Sequence, residues 1–162
     1  IQHLVEGRSA ALAPFSFGLR KLALVGEALP LGSVGVHAIE AVMPDGTVID
    51  TGSGLALEAR SVPRNTKNAL VKLAVSLRPR DGAEIGDNGR DRRYLAVEQT
   101  MRDAAAPERP AVSLKVARLA PRLLIEGEAE DDLVTMPIAR IREVDAAGAV
   151  LLDENYIPPC LD

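Results

Sequence analysis

Hydrophobic and polar residues alternate along this chain with a period of two far more often than they recur every three to four residues. From Phe15 to Val25, Phe15, Phe17 and Leu19 share one strand face while Leu22 and Leu24 take the other. That change of phase calls for a bulge or for a strand covered on both sides. Residues 34–43 read as a strand running into Pro44-Asp45-Gly46, after which Thr47 to Asp50 return. Proline presets the second turn position and glycine closes it, so a hairpin is expected. Val71, Leu73, Val75 and Leu77 alternate with Leu70, Lys72, Ala74 and Ser76. Over 93–102, Leu95, Val97 and Met101 alternate with Glu98, Thr100 and Arg102, as in a strand with solvent on one side. Over 112–119, Val112, Leu114 and Val116 alternate with Ser113, Lys115 and Ala117.

Breaks separate these segments. Residues 51–69, with Gly52, Gly54, Pro63 and Asn65, read as a long loop; residues 79–92 are a polar, glycine-rich connection; and Pro121 interrupts before the next apolar run. Two stretches depart from simple alternation. Leu4, Arg8 and Leu12 stand four apart over 2–13, a short helical stripe weakened by Gly7 and stopped by Pro14. Over 135–148, Ile138, Ile141 and Val144 recur every three residues, compatible with a helix, yet Val134, Met136 and Ile138 also alternate. Strand is the preferred reading of that segment, with helix left open. AVMPDGTVID (41–50) and EVDAAGAVLLD (143–153) share one shape, in which an apolar strand end, a glycine-closed turn and an apolar return follow in order. Shared turn chemistry accounts for the likeness more simply than internal symmetry does. Six or more strands and one short N-terminal helix give the expected class: all-β, an antiparallel β-sandwich in a single domain over 1–162.

Composition narrows the function without naming it. The 162 residues are 47% apolar and 26% charged, enough for a globular core. A formal net charge of -4 argues against nucleic acid as a partner, because phosphate contacts call for a basic surplus. Four aromatics, Phe15, Phe17, Tyr94 and Tyr156, are too few for a stacking platform. The single cysteine, Cys160, forms no internal disulfide, and with two histidines it makes no structural zinc site of the usual kind. A reduced, cytoplasmic protein is therefore expected, without a membrane span or a signal peptide. The first residue is Ile1 rather than Met, so a fragment of a longer protein is expected.

The candidate chemistry is sparse, and no catalytic, cofactor-binding or metal-ligating residues are assigned. His3 and His37 lie far apart, and His37 sits among strand residues where a structural role is favoured. Cys160 follows Pro158 and Pro159 and has no evident base. Gly52-Ser53-Gly54 lacks the third glycine of a dinucleotide fingerprint. The acidic run EGEAEDD (126–132) lacks the ligand spacing of a calcium loop and reads as a solvated connection. Arg78, Arg80, Arg90, Arg92 and Arg93 cluster in sequence, a group that is either solvated or set against an acidic partner. No enzyme is visible. Leu4, Val5 and Leu12 have little to bury if the N-terminal helix stands alone. They pack on the sandwich or on a neighbouring protein, and the second use makes them the candidate partner-binding residues.

Five motif pieces then fall in a recognisable order. They are Gln2-His3, Phe17-Gly18, Pro44-Asp45-Gly46, Pro137 to Ile141, and Ile157-Pro158-Pro159-Cys160-Leu161. In this order they resemble the N-terminal part of the type VI secretion baseplate subunit family TssK, also called ImpJ or VasE. The pieces span essentially the whole chain, although 51–132 carries little motif. The stretch that precedes Gln2 in the family is missing, as is everything after Asp162.

The resemblance implies a shoulder β-sandwich like that of phage receptor-binding proteins, followed in the family by a helical neck and a head. It implies a non-enzymatic connector without cofactor, a homotrimer as a whole protein, working in the cytoplasm at the inner face of the inner membrane. The shoulder would dock on baseplate wedge subunits, and the absent head would reach the membrane complex. Without neck and head, a monomer or a weak trimer is expected of this chain. The alternative is a small-ligand or carbohydrate-binding β-sandwich, which would need a concave face with aromatics or paired carboxylates.

Overall fold

Strands dominate the structure, a computed structural model that describes residues 16–53, 55, 57–78, 84–86, 92–102, 105 and 110–161. In chain order they are β1 (Gly18–Leu24), β2 (Ser33–Val34), β3 (Val36–Val42), β4 (Val48–Asp50), β5 (Arg60–Ser61), β6 (Lys67–Ser76), β7 (Ile85–Gly86), β8 (Tyr94–Met101), β9 (Val112–Leu119), β10 (Arg122–Ile125), β11 (Leu133–Val144) and β12 (Val150–Leu152). The expected helix over 2–13 lies outside the described residues. Contacts divide the chain into two compact units, one drawn from Ile1–Val75 and Pro121–Asp162, the other being Ser76–Ala120.

The first unit is a sandwich-like, predominantly antiparallel β fold. One sheet has the order β1-β3-β4 and the other β10-β6-β11-β12, with β2 and β5 forming a small third pair. Ile39 and Ile49 from the first sheet, Met43 from the hairpin between β3 and β4, and Val71, Leu73, Met136, Ile138 and Ile141 from the second sheet are buried almost completely. The phase change read in the first strand is real: pairing of β1 with β3 shifts register between Leu19 and Lys21 and again between Ala23 and Leu24. Residues 135–148 are strand and hairpin. Part of the three-residue recurrence that resembles a helix has a physical origin, because β11 shifts register against β12 between Ile141 and Glu143. That bulge puts Ile141 and Val144, both buried, in opposite phases of the alternation. Pro137 fits within β11 because β12 reaches only as far as Ile141, leaving that edge without a partner strand at Pro137 among the described residues.

The two hairpins expected to look alike share one hydrogen-bond pattern. Met43 N–H donates to Thr47 O at 2.8 Å and Gly46 N–H to Met43 O at 2.8 Å. Asp145 N–H donates to Ala149 O at 2.9 Å and Gly148 N–H to Asp145 O at 3.0 Å. In both, the closing glycine has positive φ, 80° for Gly46 and 93° for Gly148. This is the three-residue hairpin loop that demands a left-handed last residue. A six-residue 3-10 helix, Gly26–Leu31, was not foreseen; Pro30 lies inside it and Gly32, at φ 73°, ends it.

In the second unit β8 pairs antiparallel with β9 from Tyr94↔Leu119 through Met101↔Val112, and parallel with β7. The parallel pair falls in the glycine-rich connection, where a two-residue strand leaves no pattern to read. Arg93 is buried, and its guanidinium donates to Ser76 O at 2.7 Å. One member of the sequence cluster of arginines therefore braces the unit, while Arg92 stays exposed.

Candidate protein interface

The motif pieces at opposite ends of the chain meet in space. Leu19 N–H donates to Pro159 O at 2.8 Å, and Leu161 N–H donates to Leu19 O at 2.9 Å, making a parallel bridge between Leu19 and Cys160. The closing segment therefore lies along the free edge of β1 as a strap. Two prolines in a row suggest a chain leaving the sheet as a stiff strut, yet their carbonyls remain available and Pro159 uses its own. Gly18 makes the approach possible. A Cβ there would stand 2.8 Å from Cys160 C and 2.9 Å from Pro159 O, and its φ of 152° disfavours any side chain.

A third motif piece anchors the same segment. Arg140, in β11, stacks 5.0 Å over the Tyr156 ring and lies 3.9 Å from the Asp153 carboxylate. Asp153 N–H donates to Arg140 O at 2.9 Å, and Tyr156 N–H to Asp153 O at 3.2 Å. Burial is the largest influence on the Tyr156 phenol and raises its pKa against the lowering effect of Arg140, with Glu126 adding to the rise. Ile157 projects from the strap with 83% of its surface exposed.

The acidic run connects β10 to β11, as its composition implies, but its three glutamates are engaged. Glu126 accepts from Leu70 N–H at 2.8 Å, Glu128 from Arg60 and from Ile125 N–H, and Glu130 from Lys72 at 2.5 Å and Thr135 at 2.9 Å. Burial alone would raise the Glu128 pKa; the hydrogen bonds from Arg60 and Ile125 and the charges of Arg60 and Arg122 outweigh it and hold the carboxyl below its usual range. Lys72, then Thr135, lower Glu130 likewise.

Leu4, Val5 and Leu12, the partner-binding residues read from the sequence, lie outside the described residues. His37 is exposed on β3. The exposed Cys160 thiol donates to Pro158 O at 3.3 Å. Among the described residues no group of His, Cys, Asp and Glu is placed to hold a metal ion. No helix among them is long and apolar enough to cross a membrane. The strap is the feature that sequence reasoning missed. Its members stood out as separate motif pieces, but nothing in their spacing shows that they touch.

Known proteins give this arrangement a family. The family model described as bacterial type VI secretion, with EvfL, ImpJ and VasE, matches residues 1–162. The chain belongs to that family. It is 30% identical over 166 residues to the type VI secretion system baseplate component TssK1 of Pseudomonas aeruginosa, covering all of this chain and 37% of TssK1. It thus spans little more than a third of that relative's length. The crystal structure of TssK superposes with a TM-score of 0.88 at 24% identity, over 98% of this chain and 37% of that one. A chain of the TssK-TssF-TssG baseplate subcomplex superposes at 0.82 with 21% identity, over 97% of this chain and 53% of its own. Both bear out the antiparallel β-sandwich class for this ImpJ/VasE-family chain.

Proposed function

We propose that this chain is a structural module of the type VI secretion baseplate, the shoulder that docks a TssK-type protein onto the baseplate wedge. The observation that carries the reading is the 30% identity with a baseplate component along the whole chain. The likeness of its fold to a chain from a complex with TssF and TssG supports a wedge partner. The strap supports a load-bearing role. It ties residues 153–161 to β1 and to β11 and so braces the first unit. In the full-length protein, a homotrimer at the cytoplasmic face of the inner membrane, a separate head reaches the membrane complex. The module performs no catalysis and takes no cofactor.

Leu4, Val5 and Leu12 supply the apolar contact in this reading. Co-expression of the chain with TssF and TssG from the same bacterium is the test. Recovery of a complex that survives gel filtration is expected; a chain that is folded yet elutes apart from both subunits would overturn the wedge assignment.

A further inference from the structure

The register of β8 with β9 sorts their side chains onto two faces. Leu95, Val97, Met101, Val112, Leu114 and Val116 share one face, with Gln99 and Arg118 as its polar members, whereas Glu98 pairs with Lys115 and Thr100 with Ser113 on the other. An amphipathic ribbon should hide its apolar face. At the outer end of this one it does not: Met101, Val112 and Leu114 are 48%, 56% and 47% exposed. Among the described residues no strand pairs with the outer edge of β9. A lysine on such an edge often guards against unwanted pairing. Lys115, however, lies on the opposite face against Glu98, and no charge interrupts the three exposed apolar side chains.

A free edge beside an apolar face is completed by an extended segment, whose backbone pairs with the edge while alternate side chains cover the face. Charge selects the segment. Among the described residues, exposed or half-exposed cations on and beside the ribbon are Arg92, Arg102, Lys115 and Arg118, against the acids Glu84 and Glu98, although the chain as a whole carries a formal net charge of -4. We propose that the β8–β9 ribbon is a docking edge for an extended strand of a partner protein in which apolar and acidic residues alternate. Its apolar side chains cover Met101, Val112 and Leu114, and its carboxylates meet Lys115 and Arg102. This docking edge does not depend on the wedge contact proposed above, and its test gives an answer whether or not that contact is right.

The probe is a short fluorescent peptide alternating valine with glutamate, titrated with the 162-residue chain by anisotropy. Saturable binding is expected, at least about tenfold weaker for a peptide with lysine in place of glutamate and about tenfold weaker for Leu114→Ser. Methylating the backbone nitrogens of the peptide should abolish it. Val112→Thr, which keeps a β-branched residue on the strand, provides the comparison should Leu114→Ser fail to fold. Equal affinity for the lysine peptide, indifference to both variants, or equal binding of a single-stranded oligonucleotide would overturn the proposal. Self-association of the chain that Leu114→Ser disperses would overturn it too, by assigning the edge to a second copy.

Discussion

At Gly18 a hydrogen atom in place of a methyl group decides whether the strap can lie against β1. Gly18→Ala would drive its Cβ into backbone atoms of Pro159 and Cys160 rather than into a side chain that can turn away. The two hydrogen bonds that Leu19 makes to the strap should then loosen, each contributing about 0.5–1.5 kcal/mol. Loss of about 1–3 kcal/mol in urea unfolding is expected, with faster amide exchange at Leu19 and Leu161 than elsewhere. Exchange unchanged at those two amides would show that the strap is not held there. Arg140 is a gentler case, since its stacking on Tyr156 and its Asp153 partner are part-exposed. Arg140→Ala should cost about 0.5–1 kcal/mol by the same measurement, close to what an exposed cation–π contact contributes. A residue's type shows in the sequence, but the tightness of a site belongs to atoms brought from the far end of the chain.

Elements were legible where their chemistry is local. The hairpins at Pro44-Asp45-Gly46 and at Asp145 to Ala149 are written in turn residues, so their shared geometry follows from the sequence alone. Alternation found β3, β6, β8 and β9 because each keeps one phase for most of its length. It blurred at β11, where a register shift mixes two phases, and it missed the 3-10 helix, which buries no residue and so has no stripe. The β10–β11 connection read as solvated because neutralising partners 58 to 68 positions away leave no local mark. That connection carries a pH dependence. Glu128 and Glu130 are held below the ordinary carboxyl range, so the folded chain binds fewer protons than the unfolded one in mild acid. Their contribution is full above the unfolded glutamate pKa, about 4.3, and is lost as pH falls through the lower folded values. The urea midpoint should therefore drop less steeply between about pH 5 and pH 3 in Glu130→Gln than in the parent chain. Parallel curves would mean that Lys72 and Thr135 do not hold this carboxylate in solution.

For the whole molecule, motif order revealed the family where composition did not, because the four pieces among the described residues mark points at which distant segments are joined or the chain turns. Three of them converge on the strap. The N-terminal leucines can be tested in the intact chain. If Leu4 and Leu12 close the core, replacing both with Asp should cost about 1.5–3 kcal/mol for each buried leucine. If they face a wedge subunit, melting should hold while binding to TssF and TssG weakens. A variant that keeps both its melting temperature and its binding would dismiss both roles. The strap also sets an order of events. A ribosome delivers Gly18 and Leu19 early and Pro159 to Leu161 about 140 residues later, so the edge of β1 stays uncovered while all the later strands are made. Closing so long a loop costs little more than closing a moderate one, since the entropy grows only with the logarithm of length. Timing is the greater exposure: a nascent chain stalled before Ile157 keeps an open strand edge that another stalled chain can join. The clasp thus closes only after every strand of this sandwich has been made, so its closure separates a sandwich with all its strands from one cut short within them.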